Sequence, residues 1–522
     1  MWPCLRNNAY ICSMMNKATL DFIRQHRSDD VRTLALRQAP RAPKSNVKAA
    51  GKGPRAPKGD PSATEKGPVD LTMALQQISG WQTARQKLPT WAATDGIIYP
   101  PHLNMEQCSS ELTARYKACL CDSEVGGARY EVRDTAFEVR GTRCEVREYQ
   151  EDESKMNCEN LSSDGAQQHF SYLVPRTSHL ENNTSYLENN TSHPEKSTFI
   201  DLTGGFGVDF YWMAQGFSRR IYVEQQAALC DVARHNFALL GLPCEVICGS
   251  AADVLAQTEP VDVVFMDPAR RDQQGSRTYA ISDCTPNVLE LLPLLRQKAA
   301  RIILKLSPML DWHKAVSDLE GVSEVHIVSV QNECKELVVV VLGARGKEQG
   351  ARDVLVVCVN LLADGSMQRF ETTYHKDANS LSINTSLAPC SLPPASCPLL
   401  LAPQYLYEPN ASIMKAGCFE AVGQAFGVQE VAANSHLFTA EREIADFPGR
   451  RFGIERVTTM NRRELKEALD GLTQANIAVR NFPLSAAELR KRLRLKDGGD
   501  TYLFATTAAD GRHLLLVCRK IG

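Results

Sequence analysis

Apolar and polar positions divide the chain into stretches of different periodicity. Residues 16–37 set Leu20, Ile23, Val31, Leu34 and Leu36 at helical spacing, and the pattern returns at 69–88 and from Met105 to Leu120. Between the first two lies 39–68, a basic run of Pro, Lys, Gly and Ala with few apolar residues, which has the composition of an extended, solvated tether. From Thr198 short apolar runs alternate with helical stretches, the mark of a parallel α/β sheet. Strands are expected at 199–202, 220–224, 245–249, 261–267, 301–306, 324–330 and 336–342, with helices at 226–240 and 286–299. The last two strands lie too close together for a crossover helix, so they should form an antiparallel pair. Residues 346–403 are expected to be a strand extension and a linker, Ser- and Pro-rich over 375–402, before a final α/β region from about Gln404.

One stretch follows neither period. Residues 130–150 carry EVR three times in YEVRDTA, FEVRGTR and CEVREYQ, and 177–196 repeat TSHLENN, TSYLENN and TSHPEKS. A seven-residue spacing suits a coiled coil, but about three units broken by Gly and Thr, or dominated by Asn, Ser and Thr, do not. The whole of 121–196 is expected to be a low-complexity insertion without a packed core.

Composition narrows the class of protein. At 522 residues the chain exceeds one ordinary core, and 43% hydrophobic with 23% charged residues suits a soluble globular protein of several domains. The net charge of −2 makes no whole-chain case for nucleic acid, so any such argument must be regional. The 17 cysteines include no Cys-x-x-Cys pair, which argues for reduced thiols in a cytoplasmic protein, with no metal site and no disulfide framework. No apolar run approaches the ~20 residues of a membrane span. The first residues lack a basic segment followed by an apolar one, so no secretory signal is expected, and residues 1–13 read as an over-extended start or a tail.

The chemistry concentrates after the first strand, in Asp201-Leu-Thr-Gly-Gly-Phe-Gly-Val-Asp209. Gly204, Gly205 and Gly207 allow a tight turn and close approach of backbone to a ligand, and a helix N-terminus follows. A dinucleotide fingerprint requires a third glycine at position 210, where Phe210 stands instead. Asp201 would repel a pyrophosphate and suits a sulfonium or a ribose better, and Glu224, ending the second strand, is placed to take two ribose hydroxyls. Ser250 or Asp253, after the third strand, is a polar candidate beside a purine, and N-capping of a helix accounts for Ser250 equally well. The fourth strand runs into Asp267-Pro-Ala-Arg-Arg-Asp272 at the carboxyl end of the sheet, where ligands bind. There Asp267 is the candidate catalytic group and Arg270, with Arg271, the candidate for an acceptor phosphate or carboxylate. Lys305-Leu-Ser-Pro308, after strand five, is expected to face the same cleft.

These segments, DLTGGFGVD, YVE and MDPARRD, together with PHLNMEQCSSELTARYKA, NECKEL and the C-terminal YLYEPNASIMKAG, FPGRRF and LRLKDGGDTYLFATT, resemble a bacterial family of class I S-adenosylmethionine-dependent methyltransferases. That family carries a ferredoxin-like segment and a THUMP-like domain at its C-terminus. The resemblance implies a Rossmann-like sheet over 197–345, an N-terminal helical segment (1–38) and helical region (69–120), a ferredoxin-like segment at 404–446 and an α+β THUMP-like domain at 447–522. It implies S-adenosylmethionine as cofactor, held by Asp201, Gly204, Gly205, Gly207, Asp209, Glu224 and Ser250, with Asp267 and Arg270 at the acceptor. Because THUMP domains accompany RNA-modifying enzymes, it also implies an RNA partner. Independently, 15 Lys/Arg stand against 8 Asp/Glu between Arg450 and Lys520, and the run Arg490–Lys496 alternates charge with Leu, so one face can pack while the other meets phosphate. Asp-Pro-Ala-Arg is similar to the fourth motif of enzymes that methylate C5 of uridine, but those need a cysteine nucleophile where this chain has Lys305-Leu-Ser-Pro308. The amine-methylating pattern Asp/Asn-Pro-Pro-Tyr is broken as well, and the target atom stays open. Two alternatives remain, an RNA-binding protein without activity and a small-molecule methyltransferase.

Overall fold

The computed structural model describes residues 15–38, 68–121, 197–270, 281–344, 353–382 and 404–521. The EVR and ENN repeats and the 39–67 tether lie outside them, as do Arg271, Asp272 and most of the 375–402 linker. The chain forms two compact units.

The first unit opens with helices α1 (Lys17–His26), α2 (Val31–Gln38), α3 (Leu71–Lys87), α4 (Pro89–Ala93), α5 (His102–Gln107) and α6 (Glu111–Ala118). The single helical pattern of 16–37 is two helices, because Asp30 accepts Thr33 N–H at 2.8 Å and starts α2 afresh. Likewise Met105–Leu120 is not one helix. Ser110 takes an N-cap conformation and accepts from Thr113 N–H, which breaks the run into α5 and α6. The extended segment Ile98–Tyr99 is clamped by two side-chain amides. Gln77 of α3 exchanges two hydrogen bonds with the Tyr99 backbone, and Asn236 does the same with Ile98. Both buried peptide edges are thereby satisfied as a sheet would satisfy them.

Strand β1 (Thr198–Asp201) leads through the glycine turn into α7 (Val208–Met213). In the first unit this is followed by β2 (Arg219–Glu224), α8 (Ala227–Leu239) and β3 (Glu245–Cys248), with β2 and β3 paired in parallel.

The second unit adds α9 (Ala251–Gln257), β4 (Val261–Met266), α10 (Val288–Lys298), β5 (Ala299–Leu306), α11 (Trp312–Asp318), β6 (Val322–Val330) and β7 (Glu333–Leu342). Strands β8 (Asp353–Leu361), β9 (Met367–His375) and β10 (Ser380–Ser382) extend the sheet. Strand order in this unit is β10-β9-β8-β6-β7-β5-β4-β1. β1, β4 and β5 are parallel, while β7 runs antiparallel between β5 and β6. The expected hairpin is there. Val330 pairs with Glu333 across Gln331 and Asn332, whose φ values of 49° and 65° supply the left-handed pair that a two-residue turn requires. The central strands are buried on both faces, from Phe199 and Ile200 through Val264 and Phe265 to Ile302 and Val338–Val341, as the continuous apolar runs demand.

The C-terminal part is a second sheet. It contains β11 (Tyr405–Pro409), β12 (Phe438–Ala440), β13 (Gly449–Thr459), β14 (Asn476–Arg480), β15 (Thr501–Thr507) and β16 (His513–Ile521), in the order β12-β11-β13-β16-β15-β14 with residues 429–430 at the outer edge. Helices α12 (Ala411–Ala416), α13 (Phe419–Phe426), α14 (Arg462–Ala468) and α15 (Ala486–Leu493) accompany it, and Leu406, Phe452, Phe504 and Leu516 form its core. Among the described residues no helix is long and apolar enough to cross a membrane.

Candidate active site

In the second unit, the end of β1 is tied to the end of β4. Asp201, 1% exposed, accepts Thr203 N–H at 2.9 Å, and the Thr203 hydroxyl accepts Asp267 N–H at 2.6 Å. Leu202 N–H continues the ladder to Phe265 C=O at 3.1 Å. Because Met266 pairs with Leu304, the next residues of the two strands, Asp267 and Lys305, stand side by side. Lys305 Nζ lies 2.6 Å from Asp267 Oδ2, with the lysine buried and the aspartate side chain 37% exposed. Asp267 is thus a partly open carboxylate with one oxygen held by a buried ammonium. Lys305, expected to face the same cleft, reaches Asp267 from the neighbouring strand.

In the first unit, the continuation of the same turn is held by β2. Glu224 accepts Gly205 N–H through Oε2 at 3.0 Å and Gln226 N–H through Oε1 at 2.8 Å, while the Tyr222 hydroxyl donates to Gly205 C=O at 2.5 Å. The Gly205 peptide is therefore fixed at both ends. Each carboxylate oxygen of Glu224 has a second lone-pair direction beyond these backbone bonds, so the pair of acceptors suits the two hydroxyl donors of a vicinal diol. Gly207 has φ +87°, and a Cβ there would stand 2.5 Å from Phe237 Cζ, so glycine is required both by conformation and by space. Phe210, where a dinucleotide fold has its third glycine, is 0% exposed and packs on Tyr222 and Phe237 at centroid distances of 5.5 and 5.0 Å. An aromatic floor replaces the close helix–strand contact that glycine permits.

Asp209 is engaged within the protein. Its Oδ2 accepts from the Ser109 hydroxyl at 2.7 Å and its Oδ1 lies 3.2 Å from Lys117 Nζ, whose side chain is 0% exposed. The Ser109 hydroxyl also accepts from Lys117 at 3.1 Å, which closes a buried triad between α6 and the first turn of α7. Sequence reasoning set Asp209 among the cofactor contacts. The structure adds an anchoring role that spacing alone did not reveal, since Lys117 is 92 residues upstream. Ser250 caps α9, accepting Asp253 N–H at 3.2 Å and donating to Asp253 Oδ2 at 2.7 Å. The backbone of Arg270 pairs with Cys284 in a short ribbon, and its side chain lies outside the described residues.

The basic run Arg490–Lys496 is the end of α15, opened by a Ser485–Glu488 capping box, with Arg494 in the left-handed region at φ 56°. Leu489 and Leu495 are buried, while Lys491, Arg492, Arg494 and Lys496 are exposed and Arg490 pairs with Asp497.

Parallel strands ending in Asp201 and Asp267, an antiparallel β7 inserted between β5 and β6, and a glycine turn gripped by an acidic residue ending β2 define a Rossmann-like class I methyltransferase sheet. The chain joins that sheet to an N-terminal helical region and a C-terminal α+β part. Residues 405–448 match the family model of a ferredoxin-like domain, and 449–520 match a THUMP domain-like family. A solved structure from Porphyromonas gingivalis W83, provisionally assigned as a methyltransferase, aligns with 97% of this chain and 100% of its own at 26% identity and a TM-score of 0.64. An O-methyltransferase from Bacillus cereus in complex with SAH aligns with 28% of this chain and 74% of its own at 17% identity, TM-score 0.23. TrmK from M. capricolum, also with SAH, aligns with 30% and 66% at 9% identity, TM-score 0.22. No curated protein sequence matches the chain.

Proposed function

We propose that the protein is an S-adenosylmethionine-dependent methyltransferase that acts on RNA in the cytoplasm. The observation that carries the cofactor reading is the Glu224 carboxylate, fixed by Gly205 and Gln226 N–H groups beside a turn in which Gly207 admits no side chain. Asp201, Gly204, Gly205, Gly207 and Glu224 would hold the cofactor, with Asp209 setting the turn and Ser250 at the purine end. Bound there, the cofactor supplies a methyl group on a sulfonium. Asp267 would orient the acceptor and take up its proton, and Lys305 holds that carboxylate in one position. Arg270 would meet an acceptor phosphate. Support for RNA comes from the THUMP-like match and from the exposed cations Lys491, Arg492, Arg494 and Lys496, which suit a polyanion. In this reading residues 69–120 and 197–345 form the catalytic part, with 404–446 and 447–522 as the ferredoxin-like and THUMP-like parts.

Calorimetric titration with S-adenosylmethionine, repeated on Asp201→Ala and Glu224→Ala, tests the site, and unchanged affinity in both variants overturns it. Transfer of labelled methyl to total RNA from a strain lacking the protein tests the acceptor. Nucleoside mass spectrometry then names the modified base. Retention of RNA without transfer would indicate a binding protein, and neither retention nor transfer a small-molecule acceptor.

A further inference from the structure

Two cysteines flank the backbone that carries Glu224. Cys248, the last residue of β3, is the register partner of Glu224 across the parallel pair, and it is exposed. Cys230, in the first turn of α8, is 0% exposed. The Cys230 thiol donates to Glu224 C=O at 3.2 Å and the Cys248 thiol contacts Gln225 C=O at 3.8 Å. The two sulfurs thus rest on consecutive carbonyls, and the neighbouring Cys248 thiol adds to the burial that raises Cys230. The next N–H along this short turn, that of Gln226, fixes Glu224 Oε1.

We propose that Cys248 and Cys230 are a reversible redox site, in which disulfide formation weakens cofactor binding at Glu224. The inference rests on the reading of Glu224 as a cofactor ligand. Peroxide is the oxidant class that an exposed thiol meets first. The Cys248 thiolate attacks one peroxide oxygen, the O–O bond breaks, and water leaves a sulfenic acid on Cys248. Cys230 then loses its proton as its sulfur attacks the sulfenic sulfur. The S–S bond forms, the S–O bond breaks and a second water departs. Two thiols are oxidised by two electrons while one peroxide is reduced to two waters. Exposure gives the first attack to Cys248, whereas Cys230 is buried away from the oxidant and is left to follow as the resolving thiol. Closing the sulfurs to the ~2.05 Å of a disulfide draws the end of β3 toward the start of α8 and displaces the Gln225–Gln226 turn. Another thiol pair, Cys358 and Cys418 at 4.0 Å, has both members buried and offers no exposed group to begin the reaction.

The full-length chain is reduced, exposed to hydrogen peroxide, alkylated with iodoacetamide and digested, while a parallel sample is titrated with S-adenosylmethionine. We expect a peptide pair linked through Cys230 and Cys248. Affinity should fall about tenfold or more and return with dithiothreitol, as for the loss of a charge-assisted hydrogen bond. Cys248→Ser should keep its affinity through the same treatment. Absence of the linked peptides overturns the proposal, and so does their presence with unchanged affinity. Failure of the cofactor reading shows separately in the reduced protein, where Glu224→Ala would bind as tightly as wild type.

Discussion

Replacing Lys117 with methionine separates the two roles open to Asp209. The lysine side chain is 0% exposed and that of Asp209 10%, with 3.2 Å between Nζ and Oδ1 and the Ser109 hydroxyl bridging both. At an effective dielectric of about 20, charges at that distance attract by roughly 5 kcal/mol, offset by the desolvation both have undergone. The pair's net worth is therefore small, whereas the cost of breaking it is not. Lys117→Met leaves a carboxylate in a site that excludes water, without the ammonium that faces it. Such half-removed pairs cost about 3–5 kcal/mol. Removing the second charge as well, in Lys117→Met/Asp209→Leu, should bring stability back to within about 1–2 kcal/mol of wild type. Urea unfolding followed by tryptophan fluorescence measures all three proteins. A Lys117→Met cost below about 1 kcal/mol, or additive single and double variants, would refute the buried-pair reasoning. Titration of the double variant with S-adenosylmethionine then decides the role. Affinity close to wild type means that Asp209 only anchors α7, and a persistent loss means that it also touches the cofactor.

Gly207→Ala should destabilise the protein by about 2–4 kcal/mol, combining the left-handed φ with the Phe237 overlap, and Phe237→Leu should recover part of that in a urea-melt cycle. Lys305→Met should lower kcat by about 10- to 100-fold with the cofactor Kd within about threefold, because it loosens the acceptor-side carboxylate alone. An equal change in both constants would place Lys305 at the cofactor instead. Burial by itself would raise Glu324, but the hydrogen bond to His326 and the Arg301 guanidinium outweigh it and bring the carboxyl from 4.5 down to about 2. A depressed folded value gives stability that is present above pH 4.5 and lost as pH falls toward 2, amounting to about 3 kcal/mol. Burial also lowers His326, so its loss on acidification begins earlier, below pH 6.5. Urea midpoints across pH 2–7 should show Glu324→Gln with a flatter acid limb, and a limb parallel to wild type would remove Glu324 as its cause.

What the sequence disclosed follows from what periodicity encodes. Strands β1 and β4 to β7 were legible because a sheet buried on both faces needs unbroken apolar runs, and Val338–Val341 can be little else. The antiparallel pairing of β6 and β7 was legible from the short gap between them, whereas the two-residue turn at Gln331–Asn332 came from the structure, which starts β7 at Glu333. Helix breaks were not, because Asp30 and Ser110 cap helices through their own hydrogen bonds while the apolar spacing runs on across them. The glycine turn and Glu224 could be singled out since the chemistry is local to strand ends, yet the reasons the turn is rigid are not local. Tyr222 reaches Gly205 C=O, Phe237 occupies the space beside Gly207, and Lys117 neutralises Asp209. Asp267 shows the same division. Its position at the end of β4 was expected, but its partner depends on register, because only the pairing of Met266 with Leu304 brings Lys305 alongside. A one-residue slip of β5 would turn Lys305 to the other face of the sheet and leave Asp267 without its ammonium. The placement of the Asp267 carboxylate therefore depends on the β4–β5 register as well as on the Asp-Pro-Ala-Arg motif.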